Sequence, residues 1–231
     1  MTKCIVEENL VNWFPGGDKV CACRFDISQY TDASYGTYRI PYPLILTNAA
    51  LKRRAEYLAG RYCAMKSLQA CSQGVDIIDL CAEWHSLWPN GFLGSISHSQ
   101  QRAVAVTSPQ QLSVGVGIDI EKRVTVDKAI RLQNLLYTKE EFCRLVRSLT
   151  EPDLLFTLAF SLKESFYKAM VTPLQPYLRF HSVSLCEIDW NTQRVKCQLN
   201  QTLNPALFAG KEFEGSFVVT PDSYVVTLVK L

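Results

Sequence analysis

The hydrophobic period of this 231-residue chain switches from helical to alternating twice, and that order limits the fold more than any other feature. Leu51, Ala55, Leu58, Tyr62, Met65 and Gln69 recur at three- and four-residue steps behind a Thr47-Asn48 cap. That spacing predicts an amphipathic helix of about 20 residues, with Lys52, Arg53, Arg54, Arg61 and Lys66 on its other faces. From Leu93 the pattern alternates. Gly94–Ser99, Arg102–Thr107 and Val114–Ile120 read as strands, with Ser108-Pro109-Gln110-Gln111 as a turn. Helical spacing returns over Val126–Leu149, broken near Tyr137-Thr138, where Thr138 and Glu141 have capping-box spacing for the second half. A further helix runs from Pro152 to Met170, with Pro173 as its stop. Strand-like stretches follow at Ser182–Cys186, Arg194–Leu199, Glu214–Thr220 and Tyr224–Val229. Residues 1–48 are irregular and aromatic, with one short strand at Val20–Phe25. Helices and strands that come in blocks predict an α+β architecture in two halves, 1–115 and 116–231, and disfavour a doubly wound parallel sheet. The halves share a rough plan without an exact repeat.

Charge and cysteine content narrow the function classes. Lys and Arg exceed Asp and Glu by a net +2, too balanced for general nucleic-acid binding. Hydrophobic residues at 48% and charged residues at 20% exclude a disordered chain. The nine cysteines form no CxxC pair, and the three histidines are scattered, so no zinc spacing exists. They read as small apolar side chains of a core in a reducing compartment, the cytoplasm. The opening residues carry acids and no long apolar run, unlike a secretory signal, and no stretch approaches the length of a membrane span.

Three segments carry chemistry. In Val114-Gly115-Val116-Gly117-Ile118-Asp119-Ile120-Glu121 the period of two sends the four branched residues one way, into a core. Gly115, Gly117, Asp119 and Glu121 point the other way. Two carboxylates side by side repel unless a cation is shared or one takes a proton, and oxygen-only ligands suit Mg²⁺. A strand end with two solvated acids is the plainer reading of that pair taken alone. In Phe160–Ala169, Glu164 and Lys168 share a helix face at i and i+4, an acid and an ammonium that also occur as an ordinary surface pair. Leu158, Ala159, Leu162, Phe166 and Ala169 mark the buried face. In Gly94-Ser95-Ile96-Ser97-His98-Ser99, hydroxyls, backbone N–H groups and an imidazole could take a phosphate. No GxSxG elbow, P-loop lysine or GxGxxG is present.

Together these segments resemble the 4′-phosphopantetheinyl transferase superfamily, of the long single-chain type that includes the enterobactin synthetase component D subgroup. Val116-Gly117-Ile118-Asp119 and Phe160-Ser161-Leu162-Lys163-Glu164-Ser165-Phe166-Tyr167-Lys168 match its two motifs at the family's spacing. Arg53–Arg61 and the stretch from Trp88-Pro89 to His98 add to the likeness, which covers roughly residues 50–170. The resemblance implies two similar α+β halves about a pseudo-twofold axis, with coenzyme A in the cleft and a monomeric enzyme. It implies transfer of the phosphopantetheine arm to a serine of an apo acyl or peptidyl carrier protein. Carried over by position, Asp119, Glu121 and Glu164 would hold Mg²⁺, and Lys168 would neutralise the departing phosphate. Lys163, Ser97, His98, Arg54 and Arg61 would contact coenzyme A, and Glu141 would help deprotonate the serine. Trp88 replaces a basic residue of some relatives, and Phe160 replaces a Trp. A basic and apolar surface for an acidic carrier is expected among Lys128, Arg131, Leu132, Leu135, Leu136 and Tyr137, residues that equally suit a core-packing helix. A module that keeps the fold without catalysis, and an unrelated Mg²⁺-dependent phosphotransferase acting on a small molecule, are the rival readings.

Overall fold

The computed structural model describes residues 3–16, 18–71, 79–80, 86–146, 151–170 and 179–231. The chain divides into two compact units, Met1–Val114 and Gly115–Leu231. The first contains β1 (Ile5–Val11), β2 (Lys19–Phe25), a single turn α1 (Ser34–Thr37), α2 (Leu51–Cys71), the short pair β3 (Asp79–Leu80) and β4 (Ser86–Leu87), β5 (Phe92–Ser99) and β6 (Arg102–Pro109). Its main sheet is antiparallel in the order β1-β2-β6-β5, and α2 packs across β6, β2 and β5. The second contains β7 (Val116–Lys122), α3 (Val126–Leu136), α4 (Lys139–Val146), α5 (Pro152–Ala169), β8 (Val183–Asp189), β9 (Arg194–Leu199), β10 (Glu212–Val219) and β11 (Tyr224–Lys230). Its five strands are antiparallel in the order β7-β11-β10-β9-β8, with α5 on β7, β11 and β10. This is the expected α+β class. In each unit the strand that precedes the long helix pairs with the unit's last strand, β2 with β6 and β7 with β11.

Local signals account for the helix ends. Thr125 caps α3 by accepting from the Lys128 N–H at 3.3 Å, and Pro152 starts α5 at the position where a missing N–H is harmless. Pro173, expected to stop α5, lies outside the described residues. Thr138 accepts from the Glu141 N–H at 3.1 Å, one half of the expected capping box. The Glu141 carboxylate in turn takes the Thr138 backbone N–H, besides its bonds to Lys163 and Leu185.

Three expectations change. Periodicity does not predict β1, because the Glu7-Glu8-Asn9 centre of Ile5–Val11 breaks the alternation. It is an edge strand that shows most of its side chains to solvent, where charges are favoured, and a register shift at Ile5/Glu7 blurs the period further. The stripe drawn on α2 also fails. Leu51 is 45% exposed, whereas Ala55 through Ala64 are buried all round the helix, Glu56 and Arg61 included. Val114 is 88% exposed and precedes β7, so only Val116, Ile118 and Ile120 of the four branched residues are buried. Eight cysteines among the described residues are free thiols; Cys4, Cys21, Cys23, Cys63 and Cys197 are buried, and Cys143 is exposed.

Candidate active site

The two glycines of β7 are there for a helix. A Cβ on Gly115 would overlap the carbonyl oxygen of Ala169, and one on Gly117 would overlap that of Ser165. The bare strand lets the α5 backbone approach as no side chain would permit. The face of β7 that carries the glycines and Asp119 is therefore covered by α5, and Asp119 is only 2% exposed.

That approach sets the electrostatics. Lys168 donates to Asp119 Oδ1 at 2.6 Å from the last turn of α5. Glu164, one turn earlier, is half-buried, and its carboxyl titrates above the usual carboxylate range. Burial is the main cause and the Asp119 charge the second, while Lys168 acts the other way. Glu121 follows two residues after Asp119 on β7 and is half-buried. Among the described residues no three His, Cys, Asp or Glu side chains stand together as a ready-made metal cage. The donor set still suits a hard divalent cation, since every donor is a carboxylate oxygen and Glu164 feels the Asp119 charge.

Lys163 and Glu141 are placed differently from the expectation. Lys163 Nζ donates to Glu141 Oε2 at 2.9 Å and to the Leu136 carbonyl at 2.7 Å, and it lies 5.6 Å from the Tyr137 ring centroid. Glu141 Oε1 accepts from the Leu185 N–H at 2.9 Å. Both side chains are 0% exposed. Burial pushes the Glu141 carboxyl up and the Lys163 ammonium down, and their mutual attraction opposes both shifts. A lysine spent on a buried carboxylate and a helix-end carbonyl is not presented to a phosphate, and its partner is not presented to a serine. The pair joins α3, α4, α5 and β8.

A second polar cluster lies in the first unit. Arg53 Nη1 is 2.9 Å from His98 Nε2, and Glu56 Oε2 is 3.8 Å from His98 Nδ1. Arginine only donates, so Nε2 accepts and the ring proton sits on Nδ1, the side facing Glu56. Lys52 lies 3.7 Å from the same Glu56 carboxylate. Ser97, beside His98 on β5, is buried. Arg54, expected as the contact in this region, is instead held by both Asp32 oxygens at 2.9 and 2.7 Å. Arg61 is buried, with its guanidinium 4.9 Å from the Tyr57 ring centroid. Sequence reasoning missed Arg53 and Glu56 as members of the His98 cluster. The i, i+3 spacing on α2 was the available signal, but only the pairing of helix with β5 shows which arginine reaches the ring. Trp88 packs its indole over Gly94, where a Cβ would overlap the ring.

Comparison with known proteins agrees with these motifs. A family model described as the 4′-phosphopantetheinyl transferase N-terminal domain matches residues 42–108, and one for the 4′-phosphopantetheinyl transferase superfamily matches 115–229. The enterobactin synthase component D of Escherichia coli strain K12 is 36% identical over 157 residues, 68% of this chain and 71% of the relative. The chain belongs to the 4′-phosphopantetheinyl transferase superfamily.

Its likeness extends to other members. The enterobactin synthase component D of Salmonella austin is 37% identical over 163 residues, 69% of this chain and 66% of that protein, so the match spans about two thirds of the relative. A 4′-phosphopantetheinyl transferase of Nocardia iowensis is 25% identical over 125 residues, 54% of this chain. Enzymes of this superfamily use coenzyme A as substrate. In this chain acid and ammonium side chains meet at Asp119 and Lys168, and Arg53 meets His98 in the first unit. No helix among the described residues is long and apolar enough to cross a membrane.

Proposed function

We propose that this protein transfers the 4′-phosphopantetheine arm of coenzyme A to a serine hydroxyl of an apo carrier protein and releases adenosine 3′,5′-bisphosphate. The observation that carries the reading is the meeting of β7 and α5. There a buried Asp119 is bonded by Lys168 at 2.6 Å, and Glu164 is raised in proton affinity by burial first and the Asp119 charge second. Acids and an ammonium brought together so closely suit phosphoryl transfer, which needs charge neutralisation and positioning more than a covalent group from the protein. Asp119, Glu121 and Glu164 are the residues that would hold Mg²⁺. The bound ion would draw charge from the pyrophosphate oxygens and from the phosphorus under attack.

The chain's own groups divide the remaining work. Lys168 leaves Asp119 to meet the negative charge on the departing phosphate oxygen. Arg53 and His98 take a phosphate at the nucleotide end, with Ser97, Arg54 and Arg61 in supporting places. Lys163 and Glu141 act from within the core rather than on substrate. The nucleophile belongs to the carrier, which agrees with a chain that carries no Ser/His/Asp or Cys/His signature. The metal-bearing half is 116–231, and the enzyme works as a cytoplasmic monomer. An acidic carrier suits α3, where Lys128 and Arg131 are exposed and Ile130 (53%) and Leu135 (67%) show apolar surface. Leu136 and Tyr137, named for the same surface, are buried. The relatives named enterobactin synthase component D direct the reading toward carriers of siderophore or nonribosomal-peptide assembly.

Intact mass spectrometry of an apo carrier incubated with the enzyme, coenzyme A and Mg²⁺ tests this. The expected result is a gain of one phosphopantetheine arm that disappears with EDTA. No gain on any of several carrier types, with coenzyme A binding intact, would leave an inactive binding module.

A further inference from the structure

Three buried hydroxyls join α5 to the sheet next to the acids. Thr227 Oγ1 lies 2.9 Å from Ser161 Oγ and 2.7 Å from Ser165 Oγ, and Ser165 Oγ is 3.0 Å from the Thr227 carbonyl oxygen. All three residues have 0% exposure. The protons suffice for every contact. Ser165 donates to the Thr227 carbonyl, Thr227 donates to Ser165 Oγ, and Ser161 donates to Thr227 Oγ1. Thr227 stands directly opposite Asp119 in the β7–β11 ladder, so the two side chains share the sheet face that α5 covers. Ser161 and Ser165 are one helical turn apart. Glu164 and Lys168 are one turn apart on the same helix, and Lys168 reaches Asp119.

A helix–sheet seam of this kind needs no polar group for burial alone, because valine fills the volume of threonine without a hydroxyl to satisfy. Directional bonds do what apolar contact cannot. Gly115 and Gly117 offer α5 a nearly flat strand, and a flat apolar contact opposes sliding weakly. A slip of one turn would move Lys168 by about 5.4 Å, out of reach of Asp119. Resting on the transferase reading, we infer that Thr227 is a positioning residue. Its hydroxyl, acting through Ser161 and Ser165, fixes the height and rotation of α5 on β7 and β11, and so holds Glu164 and Lys168 toward Asp119.

The test compares Thr227→Val and Thr227→Ser in the full chain. Each variant is checked by circular dichroism, steady-state transfer to a carrier and amide hydrogen exchange of α5. A misplacement of an ångström or less lowers turnover by roughly 10- to 100-fold. For T227V the expected outcome is that loss in kcat with an unchanged KM for coenzyme A, and faster exchange along α5. T227S, which keeps the hydroxyl, returns kcat to within about threefold of wild type, the factor that context alone produces. Wild-type kcat in T227V, whatever its melting temperature, would overturn the inference. So would failure of T227S to rescue, since the methyl group rather than the hydroxyl would then matter. If the wild-type protein transfers nothing, the transferase reading falls. The exchange comparison then still decides whether Thr227 fixes α5, and unchanged exchange in T227V would end that claim.

Discussion

Replacing Lys163 by Met should be among the most damaging single changes in the second unit. The two charges are fully buried, 2.9 Å apart, and each is also tied to the backbone, Lys163 to the Leu136 carbonyl and Glu141 to the Leu185 N–H. Methionine fills similar volume, so the loss is electrostatic rather than a cavity. Without the ammonium, Glu141 stays charged without a counter-ion or takes up a proton that the folded site already favours through burial. Breaking one side of a buried pair costs about 3–5 kcal/mol. That is a large share of a total stability of about 5–15 kcal/mol. With a urea dependence of about 1–3 kcal/mol per M, the unfolding midpoint should fall by roughly 1–5 M. Circular dichroism during urea unfolding reads this directly. The double variant Lys163→Met with Glu141→Gln should recover more than half of the loss. The introduced amide keeps a carbonyl oxygen for the Leu185 N–H and leaves no charge unpaired. A K163M midpoint indistinguishable from wild type would refute the reasoning, because it would mean that the two charges do not share a dry site in the folded protein.

Three further outcomes follow from the same geometry. Gly117→Ala puts a methyl group against the Ser165 carbonyl and must lift α5 from β7, so urea unfolding should show a loss of about 1–3 kcal/mol and transfer should fall with it; wild-type values for both would contradict the close approach. Glu164→Gln removes a carboxylate that burial and the Asp119 charge already disfavour, so the melting temperature should stay level or rise while transfer falls on the order of 100-fold. Normal turnover in that variant would take Glu164 out of the site. Asp153 accepts from Arg123 Nε at 2.5 Å, and that guanidinium holds its carboxyl below the usual range. Since the folded-state value is depressed, the pair's stabilisation is present above about pH 3.9, the ordinary value, and is lost as pH falls below it. The stability gap between wild type and Asp153→Asn should therefore be open at pH 7 and close progressively below about pH 4, as followed by urea midpoints.

The sequence alone determined the elements and the chemical cast. Helical and alternating periods report which side of each element is apolar, and this places α2, α5, β5–β7 and the C-terminal strands within a few residues of where they lie. The Asp119, Glu164 and Lys168 positions were legible because strand and helix periods put them on defined faces, and because the motif spacing resembles a known family. Periodicity fails where an element is buried all round, as in α2, or where it lies at a sheet edge and carries charge, as in β1. Tertiary structure alone decided what the polar residues do. Lys163 and Glu164 are neighbours in the chain, yet about 100° of helix rotation sends one into the core and leaves the other half-buried near Asp119. Arg53 reaches His98 while the adjacent Arg54 turns to Asp32, and nothing in a pair of arginines foretells that division. Gly115 and Gly117 read as a bare strand until α5 is in place. Such assignments depend on which distant side chain arrives within about 3 Å, and a one-dimensional pattern carries no record of that distance.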